Sequence, residues 1–389
     1  MLDPLLPAKA PLVRDHITAP ISYYQRGDVL FSSPEHTLLA RGGPTLTGVA
    51  LPELPAAVAA RLARHDDPGT AMVIGAISFD GQNCRLKLPA RLTTYPPLPL
   101  QRRFHCGTPA WTLTSTPSSD DYAKLVGLAR DRIAAGEADK VVLARALTAT
   151  SSRPIRLTTL LLHLGGRGRH TFAVPVGPRQ TLLGASPELL ISRRRRTLAT
   201  TPLAGSIPRR RDPDDDQDAA RALLASAKDR HEHQLVVRAV VAALSPYCAE
   251  LNVPDVPEVQ ATPTLWHLAS PITARLADPD VTALDLAAVL HPTPAVCGTP
   301  TTAARALITD LEGSSGLERG WYAGLVGWQR ADGDGQWALA LRCAVTDGDR
   351  RLRLWAGAGI VAGSDPDLEV AETDAKLATM LHALDAIPR

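Results

Sequence analysis

Glu232 sits in LLASAKDRHEHQLVV (223–237), where Lys228, Asp229, Arg230, His231, Glu232 and His233 crowd a segment that begins and ends apolar. Such a segment reads as a helix against a core, and a buried carboxylate without a partner is very costly. Lys228, one helical turn earlier, offers one answer: an ordinary surface pair worth roughly a few tenths of a kcal/mol. The last helix poses the same question, because Glu369, Glu372 and Lys376 share one face beside an apolar stripe of Leu377, Leu381 and Leu384. An intrahelical ion pair would satisfy it. So would two carboxylate-bearing helices converging on a hard cation such as Mg2+, which usually takes one or two protein carboxylates and completes its shell with water and substrate oxygens. Spacing along the chain leaves both readings open.

Arg342 lies in QWALALRCAV, where alternation puts Trp337, Leu339, Leu341, Cys343 and Val345 on one face and Ala338, Ala340, Arg342 and Ala344 on the other. One guanidinium among alanines leaves room for a carboxylate held by two parallel hydrogen bonds. An arginine covering a solvent-facing strand is the plain alternative. The next strand lacks side chains at Gly357 and Gly359, as expected where a ligand or another backbone comes close. Lys140 opens the strand KVVLARAL and Glu188 follows the turn in GASPELL; taken singly, each is an ordinary strand-end charge.

The elements that must position these residues are partly legible. Residues 1 to about 115 read as strand-rich and punctuated by proline, with VLFSSPEHTLLARG and GTAMVIGAISFDG as strand-like runs and PARLTTYPPLPLQRRFHCGTP as a connector. Residues 120–137 predict a helix with an acidic start and a stop at Gly136. TLLGASPELLISRRRRTLATTPLAGS predicts strand, turn, strand and loop, with Arg193–Arg196 at a solvated hairpin tip. The charged loop RRRDPDDDQD leads into a helix of about 30 residues that ends at Ser245-Pro246. Residues 321–361 read as a meander with turns at DGDG and TDGD, and DLEVAETDAKLATMLHAL as the closing helix.

Composition removes several classes of function. A net charge of +2, from 42 basic and 40 acidic residues, gives no general pull toward nucleic acid or an anionic membrane. Four arginines in a row are too few for a nucleic-acid footprint. The chain is 45% hydrophobic and 21% charged, enough for a sizeable core, and 389 residues suggest two or three domains on length alone. Its 5 cysteines have no metal-binding or disulfide spacing, which predicts a reducing, cytoplasmic setting. MLDPLLPAKAPLVRD lacks the long apolar run of a signal peptide, and no stretch is long and apolar enough to predict a membrane span.

Ten segments, in order, resemble the chorismate-utilising enzymes, and among them the isochorismate synthases: ADKVVLARAL, GASPELL, TPLAGS, LLASAKDRHEH, TPTLWHLASP, HPTPAVCG, YAGLVGW, LRCA, WAGAGIV and AETDAKLATM. They cover roughly residues 120–385, and the first 115 match loosely, mainly at GAISFD. The resemblance implies one unit over 1–389, an α/β (α+β) fold of large layered antiparallel sheets flanked by helices, like that of anthranilate synthase component I. This overrides the length prior. It implies Mg2+ held by Glu232 and Glu372, and chorismate held by Arg342, Lys376, Gly357 and the Gly205-Ser206 pair. His267, in LWHL, matches a site position near the pyruvyl group. Lys140 would be the general base that takes a proton from water attacking ring carbon C2, and Glu188 the general acid at the departing C4 hydroxyl. A lysine base needs its pKa lowered, and a carboxylic acid needs the opposite shift.

The nucleophile separates the members. Aminodeoxychorismate synthases carry a lysine in PIKGT, where this chain has Ala204 in PLAGS. Anthranilate and salicylate synthases usually have threonine where this chain has Ala295, followed by Val296 rather than the leucine of isochorismate synthases. The resemblance therefore implies conversion of chorismate to isochorismate, with salicylate synthase, which goes on to eliminate pyruvate, as the alternative. A catalytically dead scaffold relative is a further alternative of a different class, opposed by the presence of Lys140, Glu188, Glu232 and Glu372. No glutamine amidotransferase subunit and no partner chain are expected. HPTPA and KDRHEH lean toward the siderophore type.

Overall fold

The structure is a computed structural model that describes residues 19–65, 71–99, 109–166 and 170–385. The stretch 1–15 discussed above, Cys106 and the end of the proline-dense connector lie outside them.

Several strands are apolar at nearly every position, and the packing shows why. In Val29–Ser32, Val29 and Phe31 join one core while Leu30 joins another. In His170–Gly177, Phe172 and Val174 face the first core and Ala173 the second. In Gln180–Ser186, Leu182 and Leu183 divide the same way. A strand buried on both faces needs apolar residues at even and odd positions alike, so alternation disappears from its sequence. The sheet holding these strands is thus a middle layer, with helices Leu157–Leu164 and Pro366–Ala383 on its outer face.

Among the described residues this middle sheet has ten strands, ordered Gly298–Thr299, Lys140–Ser151, Arg351–Ile360, Cys343–Asp347, Gln180–Ser186, His170–Gly177, Val29–Ser32, Thr37–Arg41 and Arg91–Tyr95, with Trp111–Thr116 also pairing with Lys140–Ser151. A nine-stranded sheet runs Cys248–Asn252, Ile272–Leu276, Thr197–Thr200, Leu189–Arg194, Gly335–Leu339, Leu325–Arg330, Met72–Ile77, Cys84–Lys87 and Thr45–Thr47. Leu203–Pro208, Leu265–Ala269 and Glu258–Ala261 form a small third sheet. The pairs within and between these strands that place the site are antiparallel. These are the layered antiparallel sheets and flanking helices that the sequence predicts. Strands from the first 115 residues lie at the ends of both large sheets.

The chain passes between the large sheets at two adjacent seams. Gln180–Ser186 belongs to the middle sheet and Leu189–Arg194 to the other, so Pro187 and Glu188 form one seam. Gly335–Leu339 and Cys343–Asp347 flank the second. Leu339 N donates to Glu188 O at 3.2 Å and Ala185 N to Arg342 O at 3.2 Å, which ties the seams together.

Three sequence expectations are corrected here. QWALALRCAV is two strands in different sheets, broken at 340–342, where Arg342 takes the left-handed φ of 47° that turns the chain. The predicted 30-residue helix is two helices, Pro213–Ala225 and Ala227–Leu244. Ser226 between them is extended (ψ 116°) and its hydroxyl accepts from Asp229 N, an N-cap of the kind worth about 1 kcal/mol. The end of the segment predicted as strand, turn, strand and loop is itself stranded, at Thr197–Thr200 and Leu203–Pro208. Of the four arginines at the hairpin tip, Arg194, Arg195 and Arg196 are exposed, whereas Arg193 is buried, donating to Asp332 O at 2.7 Å and Pro279 O at 2.6 Å.

Candidate active site

The seams, the small sheet and two helix faces enclose one cavity of about 50 Å³. Glu188 and Arg342 enter it from the seams, Gly205, Ser206 and His267 from the small sheet, and Val142, Gly357 and Gly359 from the middle sheet. Helix Ala227–Leu244 brings Glu232, helix Pro366–Ala383 brings Glu372 and Lys376, and Ala295 closes one wall. Lys140 lies against this lining, fully buried, with Nζ 2.8 Å from Glu232 Oε1. The sequence-predicted site residues are thus all brought together.

Backbone shape makes this approach possible. A Cβ on Gly359 would stand 2.3 Å from Glu232 Oε1 and 2.9 Å from Lys140 Cε, so glycine there leaves room for the Lys140–Glu232 pair. Gly205 has φ +74°, and a Cβ there would crowd Asp229 Cβ at 3.1 Å.

The carboxylates answer the question raised by the charged helix. Glu232 pairs across the fold with Lys140, and Lys228 pairs with Glu369 at 2.8 Å, so the Lys228–Glu232 surface pair is not what forms. The intrahelical alternative does form in the last helix, where Lys376 bonds Glu372 while also donating to Gly357 O at 2.9 Å. Burial pushes the Glu372 carboxyl up, but Lys376 and Lys228 outweigh it and leave its pKa below the usual carboxylate value. Two further acids stand behind this pair. Glu369 is raised by burial and by the charge of Glu372, and Asp229 by burial and by the charge of Glu232. Sequence reading placed Glu369 on this face without a role and passed over Asp229. Their signal is a repeated spacing: each lies three residues before a predicted ligand.

This donor set suits a hard divalent cation: it is all oxygen, drawn from two facing helices, and carries more acidic charge than its own burial favours. As the side chains stand, with lysines against the carboxylates, no three metal-ligating groups converge among the described residues.

Glu188 behaves differently. Burial pushes its carboxyl up to about 8, against the opposing pull of the Leu203 backbone N–H (3.4 Å), Arg342 and Lys140, so it is protonated at neutral pH. His267 is driven well below its usual value by burial and by Arg342, which leaves a neutral imidazole whose Nε2 accepts from Arg342 Nη2 at 3.3 Å. His233, beside Glu232, is lowered to about 4 by burial and Lys140, with Nε2 2.8 Å from Ser270 Oγ. Tyr322, quoted in the sequence motif without a role, stacks on Trp355, and its hydroxyl lies close under Gly357. The cavity therefore combines a buried lysine, a protonated acid, an arginine free of carboxylate partners in the described contacts and an anionic pair. That arrangement suits proton transfer on an anionic substrate.

Comparison with known proteins agrees. The profile of the family described as chorismate binding enzyme matches residues 99–385. The chain is 44% identical over 379 residues to the isochorismate synthase DhbC of Bacillus subtilis, covering 93% of this chain and 94% of that one. It is 39% identical over 321 residues to the isochorismate synthase EntC of Escherichia coli K12, covering 80% of each. A crystal structure described as DhbC of Bacillus anthracis superposes with a TM-score of 0.89 at 39% identity, covering 96% of this chain and all of that one. No helix among the described residues is long and apolar enough to cross a membrane.

Proposed function

The chain belongs to the family of chorismate-binding enzymes, and from that premise we propose that it converts chorismate to isochorismate with Mg2+ as its metal. Water adds at ring carbon C2, the C4 hydroxyl departs as water and the ring double bonds shift, so substrate and product are isomers. The observation that carries this reading is one cavity that holds Glu188, its carboxyl raised by burial, together with Arg342, Glu232 and Glu372, with Lys140 against its lining.

Lys140 takes the proton from the attacking water, and Glu188 gives its proton to the departing hydroxyl. Arg342 receives a substrate carboxylate, for which its planar fork is suited, and the neutral His267 beside it orients that fork. Lys376, anchored on Gly357 O, places a second positive charge on the same side, and Gly205, Ser206 and Gly357 leave space for the ring. Ala295 presents a methyl wall, with no hydroxyl for chemistry beyond isochorismate. Glu232 and Glu372 would hold Mg2+, with Asp229 and Glu369 behind them; when bound, the ion supplies positive charge to a substrate carboxylate. For the ion to bind, the Lys140–Glu232 and Lys376–Glu372 pairs would part, freeing both carboxylates. The same reading makes 1–389 one monomeric, cytoplasmic catalytic unit. The strands that the described part of its first 115 residues adds to both large sheets support the single unit.

The direct test is to incubate the protein with chorismate and Mg2+, with an EDTA control, and resolve products by chromatography with mass detection. A new species of chorismate's mass, without salicylate or added pyruvate, is expected. Stoichiometric salicylate and pyruvate would make it a salicylate synthase instead.

Glu188 adds a pH prediction. The active form is protonated, so kcat/KM should be held below pH about 8 and fall as pH rises through it. The raised carboxyl pKa also contributes stability that is present below the unfolded value near ~4.3 and lost as pH rises through the folded one. Glu188→Gln should remove the alkaline limb and lower kcat by roughly 10²–10⁴-fold. An unchanged limb in that variant would assign it to another group.

A further inference from the structure

Behind the cavity, a further buried ion pair has no place in the chemistry above. Glu312, near the end of helix Thr301–Ser314, and Arg319, in the loop that follows, are 3% and 5% exposed. Arg319 Nε donates to Glu312 Oε2 at 2.8 Å and its Nη2 to the other carboxylate oxygen. The same guanidinium reaches two other segments: Nη2 donates to Val142 O at 2.6 Å and Nη1 to Val296 O at 2.7 Å. Glu312 Oε1 in turn accepts from Ala144 N at 2.8 Å. Neither side chain lines the cavity, yet each segment they grip supplies part of it. Val142 and Ala295 are lining residues, and Lys140 is two residues from Val142. The grip is reinforced on both sides. Val142 N donates to Cys297 O at 2.8 Å. The guanidinium stacks 4.4 Å over the Phe79 ring, whose carbonyl accepts from His291 Nε2 at 2.9 Å at the start of the wall segment.

A buried ion pair is a poor device for stability alone, because desolvation offsets most of its attraction and apolar residues of similar volume often replace it without loss. What an apolar pair lacks is a rigid planar fork that holds two separate backbones and a carboxylate at once.

We propose that Arg319 and Glu312 are positioning residues for the isomerisation: they set the strand bearing Lys140 against the Ala295–Val296 wall, and so govern the chemical step rather than the binding of chorismate or Mg2+. The inference rests on Lys140 as the base. The test compares the parent protein with Glu312→Gln/Arg319→Met, which leaves no unpaired buried charge, and with Arg319→Lys, which keeps the charge opposite Glu312 and loses the fork. At saturating Mg2+ and chorismate, kcat should fall by about 10- to 100-fold in both, the scale of a sub-ångström to ångström misplacement. The KM for chorismate and the half-saturating Mg2+ concentration should stay within about threefold, and lysine should not rescue. The inference is overturned if folded double variant keeps kcat within about twofold of the parent, if Arg319→Lys restores it, or if the loss appears in KM and Mg2+ half-saturation instead. A parent that forms no isochorismate sinks the functional reading itself; an active parent with unaffected variants sinks only this inference.

Discussion

Lys140→Ala is expected to lower kcat by roughly 10²–10⁴-fold while chorismate still binds, because general base catalysis is worth that much and the carboxylate-holding groups are untouched. The side chain is fully buried and pairs with Glu232 in the space cleared at Gly359, and it makes no described contact with Arg342 or Lys376. It does strip Glu232 of its cationic partner, and the assay is therefore run at saturating Mg2+. Chorismate affinity is read separately by calorimetry under conditions where no turnover occurs. If turnover at saturation stays normal while binding weakens, Lys140 holds substrate and is not the base.

Glu232→Gln and Glu372→Gln should each cost activity and Mg2+ dependence together. A neutral amide is a poor ligand for a hard cation, and each change also frees a lysine, the buried Lys140 in one case and the half-buried Lys376 in the other. We expect at least a tenfold rise in the Mg2+ needed for half-maximal rate, about 1.4 kcal/mol of binding. Calorimetric titration of Mg2+ into the substrate-free variants gives the same comparison without turnover. Parent-like turnover at low Mg2+ would remove that residue from the metal site. The Asp229 and Glu369 carboxyls, both raised by burial and by neighbouring acids, should fall toward ordinary values when the cation binds, a change that NMR titration would follow.

Most of the residues that line this cavity were legible through the family resemblance, but the reasons they meet were not. Arg342 stood out because it is a lone charge among alanines, yet alternation continued straight through a point where the chain changes sheets. Period-2 patterning records which residues are buried, not which neighbours bury them. A left-handed arginine carries no glycine to betray it. Ser226 hid a break for a related reason: serine is tolerated inside helices, and only its extended backbone and its bond from Asp229 N show that it caps one. Glu232 was suspect from its apolar surroundings, but its partner was not the lysine one turn away; it was Lys140, far along the chain. Local spacing ranks nearby partners first, and only the sheet order reveals distant ones.

That sheet order has a consequence for how the protein is made. The strand Lys140–Ser151 has its longest pairing with Arg351–Ile360, which leaves the ribosome about two hundred residues later. At ~5–20 residues per second, synthesis leaves the strand that bears Lys140 without that partner for on the order of ten to forty seconds. During that interval a nascent chain displays an apolar edge that any other strand could join, so polypeptides truncated before residue 351 should aggregate rather than persist as partly active enzyme.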